Sequence, residues 1–175
     1  MINVNRTMQR LLTILVCFTC LIACKKDKAG AEKNVEFYLL ESYQLVTGKC
    51  QVDPSTTRLQ NSALVSNDDI LWYDESDHEY RLTTSAVQKI NALQGRTPFA
   101  VTVDKQIIYL GIYMPPIMSS TCEHSITMYA STQANTAYMM LGYPGWIRTP
   151  GTSTINDQRN DASLLAALKA QGKLR

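Results

Sequence analysis

Phe99-Ala100-Val101-Thr102-Val103-Asp104-Lys105-Gln106-Ile107-Ile108-Tyr109-Leu110-Gly111-Ile112-Tyr113-Met114 is the densest apolar stretch of the chain outside its first 23 residues. β-Branched and aromatic residues dominate both halves, and the polar pair Asp104-Lys105 divides them, so the stretch predicts a β-hairpin. Apolar residues occupy nearly every position instead of alternating. Strands of that kind are covered on both faces, which places this hairpin at the centre of a sheet.

Working upstream, Thr83 or Thr84 can cap a helix in which Ala86, Val87, Ile90 and Leu93 share one face, with Gly95 at the left-handed position that ends it. Asp69 to Tyr73 and Glu79 to Leu82 flank the polar turn Asp74 to His78 and predict a second hairpin. Val35 to Leu40 reads as a first strand continuing toward Val46, with Thr47-Gly48 as its turn and Asp53-Pro54-Ser55 as a loop. Downstream, Pro115-Pro116 ends the central hairpin, and Ser125 to Tyr129 and Thr136 to Leu141 form further strands. Gly142, Pro144, Gly145, Pro150 and Gly151 then punctuate a long loop. A closing helix is capped by Asn160 or Asp161, carries Leu164, Leu165 and Leu168 on its apolar stripe and stops at Gly172. The expected fold class is α+β: a mostly antiparallel sheet with one helix packed on a face in a ββαββ-like core, plus a C-terminal helix.

At the other end of the chain, Arg6 and Arg10 precede the apolar run Leu11 to Ala23, which closes in Leu21-Ile22-Ala23-Cys24. A cationic head, a short apolar core and small residues before a cysteine are the parts of an export signal in their working order. Thirteen residues make a helix of roughly 20 Å, too short for a hydrocarbon core of about 30 Å. The pattern resembles the lipobox of bacterial lipoproteins, and that resemblance implies that the Cys24 thiol is acylated and becomes the mature N-terminus. The expected organisation is a signal peptide over 1–23, a flexible tether over 24–34 and a single globular domain over 35–175. Lys25 follows the cysteine where the inner-membrane retention signal has aspartate, so the expected address is the cell envelope, with the outer membrane favoured and its face undetermined.

Cleavage there removes 23 of 175 residues and leaves 152, and the 17 basic residues become 15 against 15 acidic ones. A near-neutral domain gives no electrostatic reason to expect nucleic acid. The tether holds Lys25, Lys26, Lys28 and Lys33, which read as a solvated spacer, with contact to anionic headgroups beside the lipid as the alternative; the membrane is a partner through the N-terminal lipid.

The chain between Ser62 and Met128 resembles the head of the first periplasmic domain of the SecD protein-export subunit. The resemblance is carried by Asn67-Asp68-Asp69-Ile70, Glu79-Tyr80-Arg81-Leu82-Thr83, the helix, Pro98 to Asp104, and Gln106-Ile107-Ile108-Tyr109. Lys105 stands where that hairpin usually has glycine, and the resemblance implies a scaffold and no catalytic site. The chain is also similar to small lipoproteins of Bacteroidetes-type bacteria in its Tyr-Leu-Leu opening, Phe-Ala-Val-Thr-Val-Asp segment, Ser-Ser-x-Cys loop and Leu-Gly-Tyr-Pro-Gly stretch. That likeness implies an address.

Cys17 and Cys20 leave with the signal, so Cys50 and Cys122 are the thiols of the domain. In an oxidising compartment an even pair predicts one disulfide. The competing reading is a hydrolase or thiol enzyme centred on Cys122 and His124, with Ser119, Ser120 and Glu123 nearby. It needs a base aimed at the nucleophile, which adjacent loop residues seldom supply. His78 and His124 are the only histidines and share no metal-ligand spacing, so neither a metal nor a cofactor is expected. The acidic run Asp68 to Glu79 lacks the order of a calcium loop and reads as solvated strand ends.

No phosphate loop or nucleophile elbow occurs, and the expected function is non-enzymatic. Tyr113, Tyr143 and Trp146 are the candidate binding surface, since aromatics with a polar tip suit a half-wet platform for a protein, peptide or glycan partner. The alternative for these rings is the closure of a small core. An open sheet edge is a second route to a protein partner, and an accessory role in protein export is a further expectation from the SecD likeness.

Overall fold

The computed structural model describes residues 33–145 and 155–175. Eight strands form one sheet: β1 (Val35–Ser42), β2 (Arg58–Val65), β3 (Ile70–Asp74), β4 (Glu79–Leu82), β5 (Pro98–Val103), β6 (Gln106–Tyr113), β7 (Cys122–Ser131) and β8 (Thr136–Tyr143). Helix α1 (Thr84–Asn91) joins β4 to β5, and α2 (Ala162–Ala170) lies near the C-terminus. The order across the sheet is β2-β1-β5-β6-β7-β8-β4-β3, and every neighbouring pair is antiparallel except β6 and β7. The fold is therefore α+β with a mostly antiparallel sheet and two helices.

The hairpin β5–β6 lies in the interior of the sheet, third and fourth in the order of eight strands, and all six residues of β5 are buried. Asp104 and Lys105 both have positive φ, 49° and 63°, which is the turn that matches the twist of the flanking strands. The hairpin β3–β4 lies at the far edge, beside β8.

Strand β2 has no counterpart in the sequence reading. Gln60, Asn61 and Ser62 interrupt it, and all three are exposed, so neither alternation nor an apolar run marks it. Its ladder to β1 nevertheless holds Phe37 opposite Val65 and Leu40 opposite Leu59, with three register irregularities.

Strands β2 and β3 are the two edges of the sheet, yet only Ser66 and the 3-10 turn Asn67–Asp69 separate them in the chain. So short a connection rolls the sheet until its edges approach at that end. Asp69 pins the junction: its carboxylate accepts from the Ser66 amide at 3.1 Å and from the Thr83 hydroxyl at 2.7 Å. Thr83 in turn caps α1, accepting from the Ala86 amide.

Both helices face the inside of the roll. Ala86, Val87 and Ile90 of α1 and Leu164, Ala167 and Leu168 of α2 join one core with Phe37, Tyr80, Phe99, Val101 and Met128. Tyr80 meets Phe37 edge-on at 4.9 Å and Tyr73 at 4.3 Å. The opposite face carries a smaller cluster of Leu40, Val52, Ala100, Ile112, Met114, Cys122 and Tyr143. A small hairpin over Gln44–Asp53 covers it, with Leu45 bridged to Val52 and the expected turn at Thr47-Gly48.

Helix α1 ends differently from the expectation. Its C-cap is Ala92, and the left-handed residue is Arg96 at φ 72°, not Gly95. Gly95 instead lies close to Met118: a Cβ there would stand 3.0 Å from its sulfur, at the flexible end of that side chain. Helix α2 is capped by Asp161 and followed by Gly172 at φ 68°, as its sequence predicts.

Candidate ligand groove beside the disulfide

Strands β6 and β7 share a parallel ladder of only three pairs, Gly111–Tyr113 with Ile126–Met128. The reason lies in β7. Its pairing with β8 runs from Cys122↔Tyr143 to Ile126↔Leu141, four residues against two, so Glu123, His124 and Ser125 include a bulge. A bulge bends its strand and re-aims the side chains on it. Gln106–Leu110 and Cys122–Ser125 therefore lie outside the ladder, and a notch opens between them. Its cavity is about 420 Å³, lined by Ile107, Ile108, Leu110, Ser125 and Ile126, with Val52 and Pro54 on one wall and Ile155 and Asn156 on the other. At the closed end of the notch a Cβ on Gly111 would meet the Phe99 ring at 2.3 Å and the Ile126 carbonyl oxygen at 3.0 Å.

The disulfide stands at the open end. Cys50 and Cys122 are bonded, with their Cα atoms 5.2 Å apart. The bond ties the small hairpin after β1 to the first residue of β7. Between these two segments lies a second groove of about 500 Å³, lined among others by Lys49, Arg96, Thr121, Glu123 and His124. The Arg96 backbone is fixed by donation from its amide to the Tyr113 carbonyl at 2.8 Å. His124 lines both grooves and is where they meet.

The aromatic surface predicted from sequence is corrected here. Tyr113 is 2% exposed and Tyr143 is 5% exposed, so both rings close the core instead of forming a platform. Each sits at the last position of a strand whose ladder is still paired, which turns the ring inward. The Tyr113 hydroxyl donates to Asn91 Oδ1 at 3.3 Å, and burial raises its pKa. The Tyr143 hydroxyl accepts from the Met118 amide at 3.1 Å and donates to the Pro116 carbonyl at 3.0 Å, holding the β6–β7 connection. Trp146 and Cys24 lie outside the described residues.

Cys122 is the first residue of β7, not a loop residue, and its sulfur is bonded to Cys50. A disulfide sulfur has no thiolate to attack with. Ser120 Oγ is buried without a hydrogen-bond partner. Among the described residues no three His, Cys, Asp or Glu side chains converge as metal ligands, and no helix is long and apolar enough to cross a membrane.

His78 belongs to a different cluster, in the β3–β4 turn. Its Nδ1 lies 3.3 Å from the Tyr73 hydroxyl, which is also 2.9 Å from the Arg159 carbonyl oxygen and from Asn160 Oδ1. The Arg159 guanidinium grips Asp157 through two bonds of 2.8 and 2.7 Å and donates to the Met139 carbonyl at 2.8 Å. This latch secures the segment before α2, whose Ile155 and Asn156 wall the notch. Burial, aided by the positive charge of Arg159, lowers the His78 pKa below 6.5. The hydrogen bonds from Arg159 lower that of Asp157 below 3.8, against an opposing push from burial.

Both shifts mean that the unfolded chain binds these protons more readily than the folded one. Stability from His78 is complete above pH 6.5 and is lost as pH falls below it, and that from Asp157 is lost below pH 3.8. Melting temperature plotted against pH is expected to fall in two acid steps, with His78→Gln removing the upper one. A variant profile that keeps the upper step would refute this assignment.

Lys49, Arg96 and the notch are absent from the sequence reading. The only local signal is the pair of residue types at turns, because a bulge and a truncated ladder leave no period in the sequence. The chain matches no protein-family model, no curated protein and no solved structure.

Proposed function

We propose that the chain is a lipid-anchored protein of the bacterial cell envelope whose folded domain is a non-enzymatic binding or assembly module. The Cys50–Cys122 bond carries this reading. It suits an oxidising compartment, and it withdraws from nucleophilic chemistry the two thiols left in the domain after Cys24. What it leaves is a covalent tie between the small hairpin after β1 and the first residue of β7. Residues 25–34 supply a tether of at most about 35 Å between the acylated cysteine and β1, and Lys25 after the cysteine favours the outer membrane.

The experiment is detergent phase partitioning of cells expressing the full chain or Cys24→Ser. The parent protein is expected in the detergent phase and the variant, once its signal is cleaved at another site, in the aqueous phase. Incorporation of a palmitate analogue is expected in the parent alone. Label in the Cys24→Ser protein would reject lipidation at this residue.

A further inference from the structure

We infer that Lys173 to Arg175 form a guard strap over a self-complementary sheet edge, and that β3, the edge beneath, pairs antiparallel with β3 of a second copy of this chain when the strap lifts. The edge acts in this way whether or not the domain carries a lipid, and it adds a self-association surface to the binding module.

Strand β3 is a working acceptor because it already holds a strand. The Tyr73 amide donates to the Lys173 carbonyl at 2.7 Å, the Arg175 amide donates to the Tyr73 carbonyl at 2.9 Å, and the Glu75 amide donates to an Arg175 backbone oxygen at 3.3 Å. Leu174 is thereby bridged to Tyr73 in parallel, and its side chain packs on the main core. The turn at Gly172, φ 68°, delivers the strap from the end of α2, where the Lys173 amide donates to the Leu168 carbonyl at 2.9 Å. Lys173 Nζ donates to the Asn67 carbonyl at 2.7 Å, and the Arg175 guanidinium lies 4.9 Å from the centre of the Trp72 ring. One irregularity in the pairing of β3 with β4 falls between Ile70 and Trp72, before the residues the strap engages. Trp72 to Asp74 face Arg81 to Glu79 in regular register.

Without the strap, β3 lacks the side chains that blunt an edge. Its sequence Ile70-Leu71-Trp72-Tyr73-Asp74 holds no lysine and no proline, and Leu71 is 50% exposed. An apolar, aromatic segment of this kind is a template for pairing. The opposite edge, β2, is guarded by its own polar residues, with Arg58, Gln60, Asn61 and Ser62 exposed.

Symmetry names the occupant. The Tyr73 amide and carbonyl both point out of the edge, so Tyr73 and its copy across a two-fold axis exchange two hydrogen bonds. That register sets Asp74 opposite Trp72, and Glu75 opposite Leu71, of the second copy, so no like charges meet. Antiparallel pairing is also more stable per residue than the parallel strap it replaces. A strap of three residues beyond the last helix is the kind of element that opens locally.

The test compares the full chain with a variant lacking residues 173–175, in detergent with micelles in excess over protein. Sedimentation velocity and hydrogen exchange are followed across a concentration series. The parent is expected to stay monomeric, with the Tyr73 and Glu75 amides protected at every concentration. The shortened chain is expected to dimerise as concentration rises, and its Tyr73 amide, fast in dilute samples, to slow about tenfold in concentrated ones. Adding Leu71→Lys to the shortened chain should abolish both changes, because a charged side chain on an edge opposes pairing. Arg175→Pro removes the Arg175 amide and leaves Leu174 in place; it should give the same dimer in weaker form, and it serves if the shortened chain does not fold. Dimers that leave the Tyr73 amide fast, or that persist with Leu71→Lys, would show another surface associating and overturn the proposal. So would folded samples of both strap variants that remain monomeric throughout.

Discussion

Cys50→Ser/Cys122→Ser is expected to lower stability by about 4 kcal/mol, the chain-entropy cost of releasing a loop of this length. The two cysteines are 72 residues apart, and the bond spans β2, β3, β4, α1, β5 and β6. A loss of that size shifts the melting temperature of a domain near 150 residues by roughly 10 °C. The effect should be unequal across the molecule. The small hairpin over Gln44–Asp53 is held otherwise by the Leu45–Val52 bridge, a few backbone bonds and burial of Val52. Its amides should therefore exchange faster in the variant than those of β5, which is buried throughout. Adding a reductant to the parent should reproduce the shift. An unchanged melting temperature in both experiments would show that the bond constrains little.

Gly111→Ala is expected to destabilise by about 3 kcal/mol, at the upper end of ordinary overpacking. The added methyl would stand 2.3 Å from Phe99 Cζ and 2.6 Å from Cε1. Phe99 is fully buried, and Gly111 lies opposite it in the β5–β6 ladder, so the ring has no free direction in which to turn. The third neighbour, the Ile126 carbonyl oxygen at 3.0 Å, belongs to the short β6–β7 ladder itself. Chemical denaturation measures the loss, and a change below about 1 kcal/mol would mean that the centre of the sheet adapts more easily than close packing allows. Gly95→Ala is the internal comparison. Its added methyl meets the flexible end of Met118 at 3.0 Å, so its cost should be much smaller.

Legibility in the sequence followed the range of the interaction responsible. The hairpin β5–β6, the capped helix α1 and the closing helix α2 are set by neighbours a few residues apart, and residues such as Asp104, Thr83, Asp161 and Gly172 do what local chemistry predicts. Strand β2 was hidden because Gln60, Asn61 and Ser62 carry no strand signal. Its pairing comes from the first strand, about twenty residues away. The aromatic candidates illustrate the same limit. Composition identifies Tyr113 and Tyr143 as amphipathic rings, but only the paired ends of β6 and β8 turn them into the core. The candidate groove was the least legible part, since it arises where a ladder stops.

By itself the sequence determined the strand-rich α+β character, the central hairpin, the N-terminal caps of both helices and the pairing of Cys50 with Cys122 as the even set of the domain, because each depends on residue type and short spacing. The tertiary structure decided the order of strands across the sheet, the rolling that brings β2 and β3 together at Asp69, and the bulge that parts β7 from β6. Those are contests among distant segments for the same neighbours. Their outcome depends on how all eight strands share one core, which no local window contains.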